Sequence, residues 1–242
     1  MIILFTDFGR AGPYTGQVKA VLQRHAPGVP VIDLFANAPV RDPKASAYLL
    51  AAYAAWFPAG AVFLCVVDPG VGGARAPLAL EADGSWYVGP DNGLFELVRR
   101  RARRARVFEI AWRPPDLSQS FHGRDLFAPV AAQLARGESP ALAERAPGFG
   151  RRSDWPDDLA QVVYLDHYGN ALTGLRAAIL PPDARLVANG HRVTRARTFS
   201  DAAAGMPLWY ENSNGLAEIA VNLGRADHAL GLEIGTAVIV ES

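Results

Sequence analysis

The feature that most constrains this chain is the stretch Cys65-Val66-Val67-Asp68-Pro69-Gly70-Val71-Gly72-Gly73-Ala74-Arg75, set between the apolar runs 61–64 and 76–80. A buried strand ends at a carboxylate, and another begins just after a guanidinium. Pro69, Gly70, Gly72 and Gly73 let the connection double back without Cβ clashes, so Asp68 and Arg75 can face each other across it. For the loop alone two readings stay open: a tight turn with a structural ion pair, or part of a functional site. A third chemical group decides between them.

Read from the N-terminus, Ile2 to Phe5 is an apolar run closed by Thr6-Asp7-Phe8-Gly9. It predicts a buried strand with an aspartate at its C-terminal end, where ligands sit in open α/β sheets. Val18, Ala20, Val21 and Leu22 predict a helix over 14–25, and 29–35 reads as a second strand carrying Asp33. Asp42 is placed as N-cap and Pro43 as first residue of a helix through Trp56. This alternation predicts an α/β domain with a mostly parallel sheet. Beyond the central loop, 76–81 and 107–110 read as strands, and Asp91 or Asn92 caps a helix over 94–101. The Arg-rich run 99–106 falls at the C-terminus of that helix, where cations complement the dipole. The third group follows: His122, beside Gly123 and flanked by Arg124 and Asp125 at the start of a helix reaching Arg136.

From 137 to 159 the chain turns to Pro, Gly, Arg and acidic residues without periodicity, which reads as a linker region. Short runs with turn signals then follow at 161–165, 170–175, 184–187, 191–196, 208–210, 216–221 and 236–240, predicting a small antiparallel β-barrel or sandwich. The expected domains are thus an N-terminal α/β domain over 1–150 and a C-terminal β-barrel domain over 160–242. Two polar turns stand out, Asp166-His167-Tyr168-Gly169-Asn170 and Glu211-Asn212-Ser213-Asn214-Gly215, each of which also reads as an Asx turn.

Half of the 242 residues are apolar, enough for one large core or two modest ones. A formal charge of zero leaves no global field favouring nucleic acid or an anionic membrane. Cys65 is the only cysteine, which excludes an internal disulfide and a cysteine-rich metal site and points to a reducing compartment. With no basic leader before Ile2 and no apolar run of membrane-spanning length, the expected location is the cytoplasm. Dinucleotide, Walker, GxSxG and HExxH motifs are absent.

Taken together, Thr6-Asp7-Phe8-Gly9, Val67 to Gly72, Pro90-Asp91-Asn92-Gly93, Phe121 to Asp125 with Phe127-Ala128-Pro129, and Asp166 to Asn170 resemble one family over nearly the whole chain. It is the S-adenosyl-L-methionine hydroxide adenosyltransferases, or SAM hydrolases, related to the fluorinase and chlorinase. The resemblance implies an α/β domain, a C-terminal β-barrel, and a homotrimer with sites between the N-domain of one subunit and the C-domain of the next. It implies attack of water, as hydroxide, on C5′ of S-adenosylmethionine, giving adenosine and L-methionine with no cofactor and no metal. The family's catalytic trio matches Asp68, Arg75 and His122. Asp7 matches the aspartate that holds the ribose hydroxyls. Asp166 and Ser213 match the methionine amine and carboxylate positions, while Tyr168 and Asn170 match an adenine-stacking aromatic and an amide that reads the base edge. Asn214 replaces an arginine that grips the methionine carboxylate in the fluorinase, and Val40 stands where some relatives place an aromatic over the ribose.

The chemistry suits these groups. An incoming hydroxide cancels the charge of a sulfonium, so a water-poor pocket favours the step, and the site must polarise water and hold it in line. Phe8 or Tyr168 offers an aromatic face to a sulfonium, worth roughly 1 kcal/mol, with plain packing the alternative for Phe8. Three other functions compete: a halide-using adenosyltransferase, a non-catalytic adenosine or S-adenosylmethionine sensor, and a metal-assisted hydrolase using Asp7, Asp68 and His122, against which Arg75 weighs.

Overall fold

The structure, a computed structural model, describes residues 1–241 and divides into two compact units, Met1–Ser153 and a second beginning at Asp154. In the first unit the elements run β1 (Ile2–Thr6), α1 (Tyr14–His25), β2 (Val31–Phe35), α2 (Pro43–Tyr53), β3 (Val62–Val66), β4 (Pro77–Ala82), β5 (Ser85–Pro90), α3 (Glu96–Arg101), β6 (Ala105–Ile110), α4 (Ala128–Ala135) and β7 (Leu142–Arg145). The seven strands form one sheet in the order β2-β1-β3-β5-β4-β6-β7. β1 and β3 are buried throughout, as central parallel strands covered on both faces must be. Leu22 of α1 and Val130 of α4 pack with Ile2, Leu4, Val62 and Leu64 in one core layer. The Asp42 carboxylate accepts from the Ala45 amide at 2.9 Å and caps α2, with Pro43 at its first position. The helix continues into a 3₁₀ turn over Ala54–Trp56.

Two expectations for this unit need correction. The sheet is mixed, not mostly parallel: β2, β1, β3 and β5 run parallel, but β4 pairs antiparallel with both β5 and β6, and β7 antiparallel with β6. The cause is the Asp83-Gly84 turn, whose two residues have φ of 46° and 84° and fold β4 straight back onto β5. The second correction concerns 137–159, which is not a plain linker. β7 lies inside it, and 149–152 dock onto α3 through Arg99 to the Phe149 carbonyl at 2.6 Å and Arg100 to the Arg152 carbonyl at 3.0 Å. β7 shows no apolar period because it is an edge strand, held across the ladder by Arg106–Glu144 and Arg145–Glu109 ion pairs. Of the 99–106 run, Arg99, Arg100 and Arg101 end α3 and Arg106 lies in β6, with Arg100 also paired to Glu96 at 2.9 Å.

The second unit contains β8 (Leu159–Leu165), β9 (Ala171–Arg176), β10 (Arg185–Ala188), β11 (His191–Thr194), β12 (Pro207–Glu211), β13 (Leu216–Val221), the one-turn helix α5 (Ala226–Ala229) and β14 (Val238–Glu241). It is antiparallel, as expected, but its strands make two sheets, β12-β13-β9-β8 and β11-β10-β14, rather than a closed barrel ladder. β10 and β11 are four residues long and the β8–β9 and β9–β13 ladders are broken by bulges, so isolated bridges at Gln161–Ala237 and Arg195–Trp209 are what remains between the sheets. Trp209 is fully buried at the centre, and its indole N–H donates to the Ala184 carbonyl at 2.9 Å.

Candidate active site

In the parallel half of the first sheet, Thr6 of β1 is in register with Val66 of β3. Asp7 and Asp68 therefore leave their strands at the same end. The loop after Asp68 turns twice, with Val71 N–H donating to the Asp68 carbonyl at 3.3 Å and Gly73 N–H to that of Gly70 at 3.0 Å. Gly72 has φ of 78°, and a Cβ there would stand 2.5 Å from the Gln119 carbonyl oxygen, so only glycine lets the loop press against the segment leading to His122. Asn92 secures the loop from the far side by donating to the Val67 carbonyl at 2.7 Å.

This folding returns Arg75 to Asp68. Its Nε donates to Asp68 Oδ1 at 2.8 Å and its Nη2 to Oδ2, while Nη2 also lies 3.0 Å from His122 Nδ1. The Asp68 and Arg75 side chains are 5% and 11% exposed. Asp68, Arg75 and His122 thus form one buried cluster.

The guanidinium fixes the histidine's chemistry. Every guanidinium nitrogen is a donor, so Nδ1 must accept, and a neutral ring carries its hydrogen on Nε2. Burial, and after it the charge of Arg75, pushes the His122 pKa below its ordinary value, with Asp68 opposing. Arg75 thus contacts both Asp68 oxygens and the inner His122 nitrogen.

Asp7, Phe8, Arg41, Asp68, Phe121 and His122 line a cleft of about 100 Å³. Asp7 Oδ2 accepts from the Arg41 amide at 2.9 Å. Burial pushes the Asp7 carboxyl upward, the Arg41 N–H opposes this, and the nearby Asp68 charge adds to the rise. Arg41 sits at φ of 56°, a strained position for a side-chain-bearing residue that turns its N–H onto Asp7. Nothing in the sequence marks it, because its contribution is backbone. Phe8, Tyr14 and Phe121 meet one another at ring distances of 5.9, 5.7 and 5.3 Å, and Phe8 and Phe121 wall the cleft. Asp91, from the motif Pro90 to Gly93, is not in the cleft. It packs against Gly150 beside Arg99 and Arg152, a scaffolding position.

The second unit carries its own groove, about 720 Å³, lined by Asp166, Tyr168, Asn170, Tyr210, Glu218 and neighbours. In the turn after β8, Asp166 Oδ1 accepts from the Asn170 amide at 2.8 Å and Oδ2 from the Asn170 side chain at 3.1 Å. Tyr168 stands at the rim, 72% exposed. Ser213 and Asn214 lie in the β12–β13 turn and are not among the groove's lining residues, with the Asn214 amide bound to Asn212 Oδ1 at 2.9 Å. Sequence reasoning missed Glu218. The available signal was a carboxylate inside the apolar run Leu216–Val221, since a buried polar residue is the informative exception.

Residues 2–144 match the SAM hydroxide adenosyltransferase N-terminal domain, and residues 160–239 match the C-terminal domain of the same family. The chain belongs to the SAM hydroxide adenosyltransferase family. Among its relatives in that family, a protein of Thermus thermophilus named (R)-S-adenosyl-L-methionine hydrolase is 41% identical, over 98% of each chain. One of the same name from Salinispora tropica is 38% identical over 95% of this chain and 93% of its own length. An uncharacterized conserved protein from Thermotoga maritima has a crystal structure that superposes with a TM-score of 0.85 at 28% identity, covering all of both chains. In this member of the SAM hydroxide adenosyltransferase family Arg75 contacts both Asp68 and His122, and Asp68 follows the end of β3, where an α/β sheet receives ligands.

Proposed function

We propose that this protein is an enzyme that hydrolyses S-adenosyl-L-methionine to adenosine and L-methionine by attack of water on C5′ of the ribose. The observation that carries the reading is the buried contact of Asp68 and His122 through Arg75, in a chain whose relatives at 41% and 38% identity are named hydrolases of the (R) form. The same sulfur epimer is proposed as the substrate here.

In this reading Asp68 is the proton acceptor. Each of its oxygens keeps a lone pair beyond the one given to Arg75, whereas His122 has Nδ1 occupied and a hydrogen on Nε2. His122 instead donates that hydrogen to orient the water, and Arg75 keeps Asp68 in place and stabilises developing hydroxide character. The water oxygen bonds to C5′, the C5′–S bond breaks with its electron pair going to sulfur, and methionine leaves as a neutral thioether. Charge is cancelled, so a small, water-poor cleft assists, and no cofactor is needed. Asp7 holds the ribose hydroxyls and Phe8 lends an aromatic wall. Asp166 takes the ammonium group, Tyr168 stacks on the base, Asn170 reads its edge, and Ser213 with Asn214 takes the carboxylate.

A cleft of about 100 Å³ is too small for a nucleoside, and the roomier groove lies in the other unit. A homotrimer in which each site is completed by the neighbouring copy supplies the missing walls. Exposed apolar side chains at the edges of both half-sites, Val40 and Val71 in one unit and Tyr168 and Leu223 in the other, suit such an interface. The single cysteine, buried Cys65, fits a cytoplasmic location, and no helix among the described residues is long and apolar enough to cross a membrane.

Chromatography of the protein incubated with S-adenosyl-L-methionine, with and without chloride, tests the reaction. Adenosine and methionine in equal amounts, independent of chloride, are expected. A 5′-chloronucleoside assigns the halide branch, and binding without turnover assigns a sensor.

A further inference from the structure

Two buried hydroxyls stand at the start of β5. Ser85 and Tyr87 are 8% and 5% exposed, and neither hydroxyl has a hydrogen-bond partner among the described residues. Two residues apart on one strand, they face the same side of the sheet. There they line a pocket of about 230 Å³ whose other walls include Ala51, Ala54, Ala59 and Ala82. The phenol has a fixed place. Its ring stacks on Phe63 with centroids 4.7 Å apart and planes 7° from parallel, and Phe95 meets it at 6.1 Å. Burial pushes the Tyr87 pKa upward, so the hydroxyl keeps its proton and can both donate and accept. β5 runs parallel to β3 with Trp86 opposite Val62, so Ser85 lies level with the start of β3, whereas Asp68 follows its end. The pocket is therefore separate from the catalytic cleft, and none of its lining residues is shared with it.

The lining sets the chemistry of a guest. Buried hydroxyls are satisfied as a rule, and small alanine side chains leave room for an apolar body. One charge of each sign, Asp83 and Arg101, stands in the lining, so the pocket offers no net field to an ion. Asp83 is exposed and already accepts from the Arg103 and Arg104 amides at 3.0 Å each. The buried groups are the two neutral hydroxyls, which do not compensate the burial of a charge. A primary amide offers an acceptor oxygen and N–H donors on neighbouring atoms, and so meets hydroxyls that each donate and accept. The volume is below the roughly 300 Å³ at which pockets for drug-sized ligands begin, so the guest is small. We propose that this pocket is a second ligand site, taking a small neutral molecule that carries a primary carboxamide on an apolar body, with the amide hydrogen-bonded to Ser85 and Tyr87. The site is independent of the reaction proposed above.

Calorimetric titration with benzamide as probe tests this, beside benzoate and benzylamine as charged molecules of similar shape, on wild type, Tyr87→Phe and Ser85→Ala. Wild type is expected to bind one benzamide per chain with a dissociation constant of about 1 mM or less, and to bind either ion at least about 10-fold more weakly. Each variant is expected to lose about 5- to 10-fold in benzamide affinity. Tyr87→Phe keeps the ring between Phe63 and Phe95 and removes no hydrogen bond within the protein, so its thermal midpoint is expected to match wild type. Saturating adenosine is expected to leave the benzamide titration unchanged. Should either variant fail to fold, the other carries the test. No detectable benzamide binding, the result for a pocket that holds water alone, overturns the proposal. So does tighter binding of either ion, or full affinity in a folded variant. Displacement of benzamide by adenosine would assign the probe to the site of catalysis and overturn it as well.

Discussion

In the first unit, three side chains from two separate segments close on one another beside a cleft of about 100 Å³. In the second, a groove of about 720 Å³ is floored by two strands and two turns whose polar groups form a spread network of amides and carboxylates. The first arrangement spends its contacts on fixing one aspartate and one histidine tautomer, which suits activating a single water. The second fixes donors and acceptors over an area, which suits recognition. Substitutions in the two units should accordingly fail in different ways.

The largest expected effect is Asp68→Ala, which removes the proton acceptor and is expected to cut kcat by about 10³-fold, within the range of general-base losses. Adenosine affinity, carried mainly by the groove, is expected to change little by calorimetry. A comparable loss of affinity would break the division between chemistry and recognition. Trp209→Ala probes the other side. It empties the centre of the second unit and is expected to lower stability by about 3–5 kcal/mol in denaturant unfolding. Trp209→Phe leaves the Ala184 carbonyl without its donor and is expected to cost about 1–3 kcal/mol.

His122→Ala is expected to lower kcat by about 10²-fold and to alter the pH profile. The His122 pKa is held below its ordinary 6.5 by burial and by Arg75. On acidification the unfolded chain takes up this proton first, so the histidine's share of stability is full above pH 6.5 and declines as pH falls towards the lower folded value. Protonation also makes Nδ1 a second donor facing Arg75, so kcat/KM is expected to drop on the same acid side, and that limb should disappear in His122→Ala. The smallest expected change is Asp42→Ala, which removes the cap of α2 and costs about 1 kcal/mol in thermal unfolding without moving KM.

Legibility in the sequence followed the physics of each element. Asp42-Pro43 and the apolar period of α1 are local signals, and the structure places both helices where they point. The glycine-rich loop announced a reversal between Asp68 and Arg75 because few backbones other than glycine allow one, whereas nothing in spacing alone brings His122 to the same point. The Asp83-Gly84 hairpin signal was present but short, and missing it made the sheet look parallel. β7 was hidden because an edge strand facing solvent has no apolar stripe to display. Arg41 acts through its amide, and Glu218 meets Tyr210 and Asn212 only when β12 and β13 are side by side.

The most direct test of water activation by the Asp68–Arg75–His122 cluster is turnover of S-adenosyl-L-methionine in ¹⁸O-labelled water, with Asp68→Ala as the control. The expected result is one labelled oxygen at the 5′ position of the adenosine formed, at a rate about 10³-fold lower in the variant. Unlabelled adenosine, or an undiminished rate in Asp68→Ala, would contradict it.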